Sequence, residues 1–283
     1  YHGLWESFLN EAKQLISDDL DLTFIQLYCL LPKYTSFMPS ATYVDVPTVS
    51  LFDHLKTTAA LARCLYETKG KEEFLLVGGD VSGIQSFIYS IVDEGATKQL
   101  RGRSLYLNLL TEAVAKYILR ALKLPLCNIL YTGGGRFQIL APSTPEIEHK
   151  LEECRRHISS TIYKRHRTDL YLAIEWVRWT PDEHGHTEGD DQTGFDAAMR
   201  ALGDALSFRK RNRKFIEVIE DDPSFFTPRA EDVSSVCKLC GRGYPEGLDE
   251  SGRCKLCASF TTLASKLVES DYLVEVWRVP NPH

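Results

Sequence analysis

The stretch Gly78–Ser90, which reads GGDVSGIQSFIYS, decides the fold that the sequence predicts. It follows the apolar run Phe74–Val77, whose length and composition are typical of a buried strand. The two glycines then place Asp80 at the end of that strand, and Ser82 opens a small-residue turn. Apolar residues continue at helical spacing, at Ile84, Phe87, Ile88 and Ile91. The pattern predicts a strand, a turn and a helix, with a carboxylate at the strand's end.

Two interpretations of this turn remain open. Backbone N–H groups at a helix start favour an anion such as a phosphate, and Asp80 beside them suits the magnesium ion of a nucleotide triphosphate. The alternative is an ordinary connection in which Ser82 is the N-cap of the helix. Short turns with glycine are common, so the spacing by itself does not decide between them.

The elements after this stretch predict an α+β fold. A helix over 83–92 is followed by a loop over 93–103, which contains Lys98, Arg101 and Arg103, and by a helix from Ser104 to about 122. Two short strands, 127–132 and 136–141, flank three glycines, and a helix with a regular apolar stripe leads to a strand over 171–179. The order βαββαβ is that of a ferredoxin-like fold, which is also the frame of polymerase and cyclase palm domains.

The glycine hairpin limits the chemistry that such a palm performs. Catalytic palms place one acid at the end of the first strand and one in the hairpin, and the two acids share two metal ions. Here the hairpin reads Gly133-Gly134-Gly135-Arg136-Phe137, without an acid. Such a palm is able to hold a nucleotide but lacks the second carboxylate, so we predict that it does not catalyse phosphoryl transfer by itself.

The remaining segments suggest one domain boundary, at the charged break Lys71–Glu73. Residues 1–70 have helical periodicity, and His54 within them is either a surface histidine or a metal ligand. A helix over 195–215 ends in the basic run Arg209–Lys214, which either complements the helix dipole or contacts an RNA backbone. His184 and His186 lie in a polar loop and are expected to be solvated. A final helix over 258–268 precedes a strand-like segment, Tyr272–Arg278.

Four of the eight cysteines form two CxxC pairs separated by 13 residues. Two such knuckles present four thiolates to one tetrahedral zinc ion, and this spacing predicts a closed structural site rather than a redox motif or four unrelated thiols. The predicted ligands are Cys237, Cys240, Cys254 and Cys257. The other cysteines are scattered among apolar positions, a pattern that suits buried thiols in a reducing cytosol.

Composition excludes several classes of protein. Of the 283 residues, 43% are hydrophobic and 25% are charged, as in ordinary globular proteins, and a net charge of −6 argues against a bulk nucleic-acid binder. No apolar run reaches the 18 residues that a membrane span needs. The chain begins with Tyr1 rather than Met, and we therefore expect it to be a piece of a longer protein.

Four motifs in order closely resemble one family, the large subunit of type III CRISPR effector complexes of the Csm (III-A) kind. They are GGDVSGIQSFIYS, QLRGRSLYLNLL, YTGGGRFQILAP and the paired CKLC knuckles, and SLFDHLKTTAALA at 50–62 resembles the last helix of the family's HD nuclease domain. The family cleaves single-stranded DNA with its HD domain. When target RNA is bound, it makes cyclic oligoadenylate from ATP with paired palms.

The resemblance implies three domains: the remainder of a permuted HD domain over 1–70, the first palm over 71–230, and a zinc segment with a helix over 231–283. It implies that ATP, with Mg²⁺ or Mn²⁺, is bound by Asp80, Val81, Ser82, Gly83, Ile84, Gln85 and Ser86, opposite Gly133, Gly134 and Gly135. The implied partners are neighbouring Csm subunits, guide RNA, target RNA and a second palm, in the cytoplasm of a prokaryote. Neither a GGDD motif nor an HD dipeptide occurs, so neither catalytic centre is complete in this sequence.

Three functions compete on these grounds. The chain is the non-catalytic, ATP-holding palm of an oligoadenylate synthase; or it is a zinc-stabilised scaffold that docks other subunits and RNA without nucleotide; or it is a stand-alone cyclase. The absence of a second acid from the hairpin weighs against the third.

Overall fold

The computed structural model describes residues 2–41, 46, 48–90, 96–181, 194–227, 236–243 and 247–274. Its helices are α1 (His2–Leu15), α2 (Leu20–Thr35), α3 (Leu51–Glu67), α4 (Ile84–Tyr89), α5 (Ala96–Ala121), α6 (Pro145–His166), α7 (Gly194–Asn212), α8 (Ile216–Asp221) and α9 (Lys255–Glu269). Its strands are β1 (Phe74–Ser82), β2 (Ile129–Gly133), β3 (Arg136–Pro142) and β4 (Tyr171–Trp179).

The four strands form one antiparallel sheet in the order β2-β3-β1-β4. β1 is a central strand, and its first four residues, Phe74–Val77, are at most 2% exposed. Burying each such side chain stabilises the fold by roughly 1.5–3 kcal/mol relative to leaving it in water. The predicted mixture of helices with an antiparallel sheet is therefore confirmed, with β1 at its centre.

Alternate residues of β1 point to opposite faces of the sheet. Phe74 packs with α3, where Ala60 and Cys64 are fully buried, and Leu76 packs with Ala198 and Leu202 of α7. Asp80 shares the parity of Phe74 and Leu76, so its side chain lies on the face that α7 covers. This placement determines which side chains surround the carboxylate.

Contacts along the chain define two compact units. The first comprises Tyr1–Ser82 and Thr111–Asp222, and the second comprises Gly83–Leu110 and Pro223–His283. The first unit contains the whole sheet, whereas the second contains α4, the first part of α5, the four paired cysteines and α9. The domain boundaries expected near 71 and 231 stay predictions.

Three local predictions are wrong. The predicted loop 93–103 is helical from Ala96 onward, so Ser104 lies inside α5 and is not its N-cap. Ser82 is the last residue of β1, and the N-cap of α4 is Gly83, at a φ of 94° and without a side-chain capping bond. α4 also ends at Tyr89, earlier than the expected residue 92.

Two further predictions fall wholly or partly outside the described residues. His184 and His186 lie there, as does the second half of the strand-like segment Tyr272–Arg278, whose described part, 272–274, forms no strand. In the described part of the chain, no helix has the length and apolar character needed to cross a bilayer.

Candidate functional site

Asp80 is a nearly buried carboxylate that two basic side chains contact. Its side chain is 11% exposed, and Lys210 Nζ of α7 donates to Oδ2 at 2.6 Å. The Nε of Arg136, at the start of β3, lies 3.4 Å from the same oxygen. A carboxylate so far from water requires such compensation, since an unpaired buried charge is strongly unfavourable.

The glycine hairpin lies beside this carboxylate. Asp80 is opposite Arg136 in the β1–β3 register, and the N–H of Val81 donates to the carbonyl oxygen of Gly135 at 2.9 Å. The hairpin closes through Gly134 and Gly135, whose φ values of 60° and 80° are those of a two-residue turn between twisted strands. The structure thus brings together Asp80, Val81 and Gly133–Gly135, as the sequence predicts.

A cavity of about 560 Å³ opens next to Asp80, between the sheet and α7. Its size is within the range of small-ligand sites, and its wall combines apolar surface with a few polar groups. The sheet contributes Gly79, Asp80, Tyr131, Arg136, Phe137 and Gln138, and α7 contributes Met199, Leu202, Gly203, Asp204, Leu206 and Ser207. Sequence reasoning did not identify the contribution of α7.

The remaining predicted nucleotide residues follow directly along the chain. Ser82 ends β1 in the first unit, whereas Gly83, Ile84, Gln85 and Ser86 belong to the second unit. Gly83 accepts a hydrogen bond from the N–H of Phe87 at 2.8 Å, which forms the single turn that begins α4. α4 has only six residues, so its dipole is small.

Two cations of the basic run at the end of α7 form ion pairs within the protein. Arg209 is 3% exposed and forms ion pairs with Glu175 of β4 and Glu217 of α8. Lys210, the next residue, pairs with Asp80. The RNA interpretation of this run therefore stays a prediction for the exposed Arg211 and Arg213 and for Lys214.

The four paired cysteines converge in the second unit. The Sγ atoms of Cys237, Cys240, Cys254 and Cys257 all lie within 4.8 Å of one another, and three of the four residues are buried. A tetrahedral zinc ion with Zn–S bonds of about 2.3 Å holds its sulfur atoms about 3.8 Å apart, which lies within this limit. The donor set therefore fits a tetrahedral zinc ion, and four thiolates leave no position for water.

Local hydrogen bonds shape the two knuckles. The N–H of Cys254 donates to Cys237 Sγ at 3.3 Å, and the N–H of Cys257 donates to Cys254 Sγ at 3.4 Å. Cys254 is also the N-cap of α9, where N–H groups stabilise a thiolate. Hydrogen bonds to Cys240 and Cys254, followed by burial, raise the pKa of the Cys257 thiol. A divalent cation would reverse this effect, because metal ligands are deprotonated.

His54 is exposed on the first turn of α3. Within the described ranges, the one group of three or more side chains suited to hold a metal ion is the cysteine cluster. Both interpretations of His54 stay predictions.

Comparison with known proteins agrees with this geometry. The family domain described as Csm1 subunit domain B matches residues 73–227, more than half of the chain. A curated relative from Methanocaldococcus jannaschii, the CRISPR system single-strand-specific deoxyribonuclease Cas10/Csm1 (subtype III-A), is 33% identical over 94% of this chain. The chain spans 39% of that relative's length.

Solved structures give the same result. A Csm1–Csm4 cassette in complex with one ATP has a TM-score of 0.65 at 32% identity, over 80% of this chain and 31% of that one. A Csm1–Csm4 cassette in complex with cA4 has a TM-score of 0.63 at 34% identity, over 75% of this chain and 30% of that one.

The antiparallel sheet, the cysteine cluster and the similarity to these proteins together define a class of protein, the large subunits of type III-A CRISPR systems. Within that class, the chain belongs to the Cas10/Csm1 family, as the domain match over 73–227 shows.

Proposed function

We propose that this chain contributes the ATP-holding, non-catalytic palm of a type III-A CRISPR effector, which makes cyclic oligoadenylate in antiviral defence. The proposal rests chiefly on Asp80, which lies beside the glycine hairpin at the mouth of a cavity of about 560 Å³. The strand order β2-β3-β1-β4 supports the assignment of a ferredoxin-like palm. Similar proteins hold ATP and cA4 in their solved structures.

The register opposite Asp80 supports a holding role rather than catalysis. A two-metal palm needs a second carboxylate there, and this chain has Arg136. Together with Lys210, Arg136 surrounds Asp80 with positive charge that suits a triphosphate. We therefore place the catalytic acids in a second palm, and a purified chain that converts ATP to oligoadenylate by itself would contradict this assignment.

A magnesium or manganese ion that accompanies ATP fits Asp80, because such ions are bound by one or two carboxylates plus the phosphates. The ion would neutralise phosphate charge. It would also compete with Lys210 for Oδ2, since the ammonium lies 2.6 Å from that oxygen. The further ligands that we propose for the nucleotide are Val81, Ser82, Gly83, Ile84, Gln85, Ser86, Gly133, Gly134 and Gly135.

Calorimetry with and without Mg²⁺ tests the proposal. We expect the wild-type chain to bind ATP more tightly when Mg²⁺ is present, and Asp80→Asn to remove this difference because the metal ligand is lost. Asp196→Asn, which changes an exposed acid of α7 away from the cavity wall, is the matched control and keeps the difference. Undetectable ATP binding by the wild-type chain, even with a GGDD-containing second palm added, would contradict the proposal.

The cysteine cluster supports a second role, that of a zinc-stabilised scaffold. Neighbouring subunits of the Csm4 kind, guide RNA and target RNA are the partners that we propose for it. If this role were the only one, zinc removal would abolish assembly with these partners, whereas Asp80→Asn would change neither assembly nor oligoadenylate synthesis.

A further inference from the structure

The first turns of α5 pack closely against α9 within the second unit. A Cβ atom on Gly102 would lie 2.0 Å from the carbonyl oxygen of Phe260, so the two helix backbones meet where only glycine fits. Gln99 is 1% exposed, and its Nε2 donates to the carbonyl oxygen of Cys257 at 2.8 Å and to Thr261 Oγ1 at 2.7 Å. These contacts fix α5 to the turn of α9 that carries a predicted zinc ligand.

Arg103, the next inward residue of α5, contacts that ligand directly. Its side chain is buried, with the residue 3% exposed, and Nη2 lies 3.7 Å from Cys257 Sγ, within hydrogen-bond reach of sulfur. The guanidinium also lies over the rings of Phe87 and Phe260, 5.5 and 5.7 Å from their centroids. A buried cation therefore faces one thiol of the cluster.

The same guanidinium binds the end of α4. Nη1 donates to the carbonyl oxygen of Phe87 at 2.5 Å, to that of Ser90 at 3.2 Å and to Ser90 Oγ at 3.1 Å. The last carbonyls of a helix lack partners within the helix, and an arginine satisfies them. One side chain thus connects Cys257 to the C-terminal end of α4.

The net charge of a zinc-bound cysteine cluster explains why a cation lies beside Cys257. Four thiolates and one divalent ion leave a net charge of minus two, and burying this charge is costly unless hydrogen-bond donors approach the sulfurs. Backbone N–H groups reach Cys237 and Cys254. At Cys257, Arg103 provides both a donor and a positive charge.

We propose that Arg103 is a positioning residue that stabilises the metal-bound thiolate of Cys257 and makes the order of α4 depend on zinc. The inference assumes that the cysteine cluster binds zinc, and it is independent of ATP binding. It assigns a role to the segment Gln99–Arg103, and it makes α4, which carries Ile84, Gln85 and Ser86, the element that senses loss of the metal.

Zinc release tests the first half of the inference. We expect the chain with Arg103→Gln to transfer zinc to an excess of a chromogenic chelator about ten-fold or more faster than the wild type, because loss of a partner of a metal ligand typically weakens metal binding by 10–100-fold. Arg103→Lys, which keeps the charge but not the two-sided fork, should fall between them. Arg101→Gln, an exposed arginine on the same helix, should release zinc at the wild-type rate.

Cobalt substitution separates this role from a general loss of stability. Removing a hydrogen bond from a thiolate raises the energy of its electrons, so the sulfur-to-cobalt band should move to longer wavelength in Arg103→Gln and stay in place in Arg101→Gln. Equal bands and equal zinc-release rates in all four proteins would overturn the inference.

Hydrogen exchange tests the link to α4, first in the wild-type chain and then in a variant. In the wild-type chain, zinc removal should speed exchange at the N–H groups of Phe87 and Ser90, which bond to Gly83 and Ser86. In Arg103→Gln, or in Arg103→Lys if the glutamine variant does not fold, exchange should already be faster with zinc bound. The inference would also be overturned if zinc removal left the exchange rates in α4 unchanged. The same holds if the purified wild-type chain contained much less than one zinc ion per chain.

Discussion

The surroundings of Asp80 and the four-cysteine cluster are built in opposite ways. The cysteines come from two short knuckles, and local backbone hydrogen bonds hold their sulfurs within 4.8 Å of one another. Asp80 has its closest partner, Lys210, 130 residues further along the chain. The spacing of residues in the sequence is enough to predict a site whose ligands are close in the chain. The site around Asp80 instead forms only when α7 packs on the sheet, because its residues are far apart in the chain.

The largest effect should follow from a change in the local site. Cys254→Ser should abolish zinc binding and unfold the described ranges 236–243 and 247–274, because a structural zinc contributes about 10–16 kcal/mol of apparent binding energy to folding. Zinc content and hydrogen exchange across these ranges measure the effect.

Cys29→Ser is the matched control, since Cys29 is exposed and lies outside the cluster. It should leave zinc content near one per chain. Retention of zinc and of exchange protection in Cys254→Ser would mean that the cluster is not a structural metal site.

The next effect concerns the surroundings of Asp80, where buried ion pairs fix the end of α7. Glu217→Gln should destabilise the chain by about 3 kcal/mol, because it leaves the buried Arg209 without one of its two carboxylates. Chemical denaturation followed by circular dichroism measures this loss.

Glu220→Gln is the control on the same short helix. Its carboxylate is half exposed and pairs with Arg156 at the surface, so the change should cost less than about 1 kcal/mol. Equal losses for the two variants would show that the buried network does not anchor α7.

A smaller effect is expected at the hairpin beside Asp80. Gly134→Ala should destabilise the chain by about 1–2 kcal/mol, because a φ of 60° is strained for any residue with a Cβ atom. Gly203→Ala in α7 should instead be neutral or slightly stabilising, since a Cβ there meets nothing within 4 Å and alanine favours a helix. Thermal unfolding compares the two, and a loss at Gly203 alone would contradict the assigned turn.

The last effect depends on pH and distinguishes scattered from clustered cysteines. Burial raises the pKa of the Cys64 thiol from 9.0 to about 12. A raised pKa means that the folded chain keeps this proton while the unfolded chain loses it, so stability should fall as the pH rises from about 9 to 12, by about 1.4 kcal/mol per pH unit at most.

Unfolding free energies measured across that window should decline less steeply in Cys64→Ala than in the wild type, whereas Cys29→Ala should show the wild-type slope. Identical slopes in all three proteins would mean that Cys64 keeps its proton to no higher pH in the folded chain than in the unfolded chain.

Sequence patterns predicted the features that depend on residues close together in the chain. The apolar run Phe74–Val77, the glycine hairpin and the CxxC pairs each have a local signal, and each has the expected secondary structure or clustering. The start of α5 was missed because its inward residues, Gln99 and Arg103, are polar and form no apolar stripe. Their partners, Cys257 and the end of α4, are identifiable only in three dimensions.

The same limit applies to the surroundings of Asp80. The order of strands was enough to place the hairpin next to this carboxylate, since the first and third strands of the predicted fold are neighbours. Nothing in the run Arg209–Lys214 indicates which of its cations point inward. That depends on how α7 lies across β1 and β4, and its packing there sets Lys210 against Asp80 and Arg209 between Glu175 and Glu217.

Backbone NMR during a titration with Mg-ATP tests the central claim most directly, because it locates the nucleotide. The account predicts shifts of the amide signals of Val81 and Gly133–Gly135 in the wild-type chain, and much smaller shifts in Asp80→Asn. Saturating Mg-ATP that leaves these signals unchanged, or that shifts them equally in the two proteins, would contradict it.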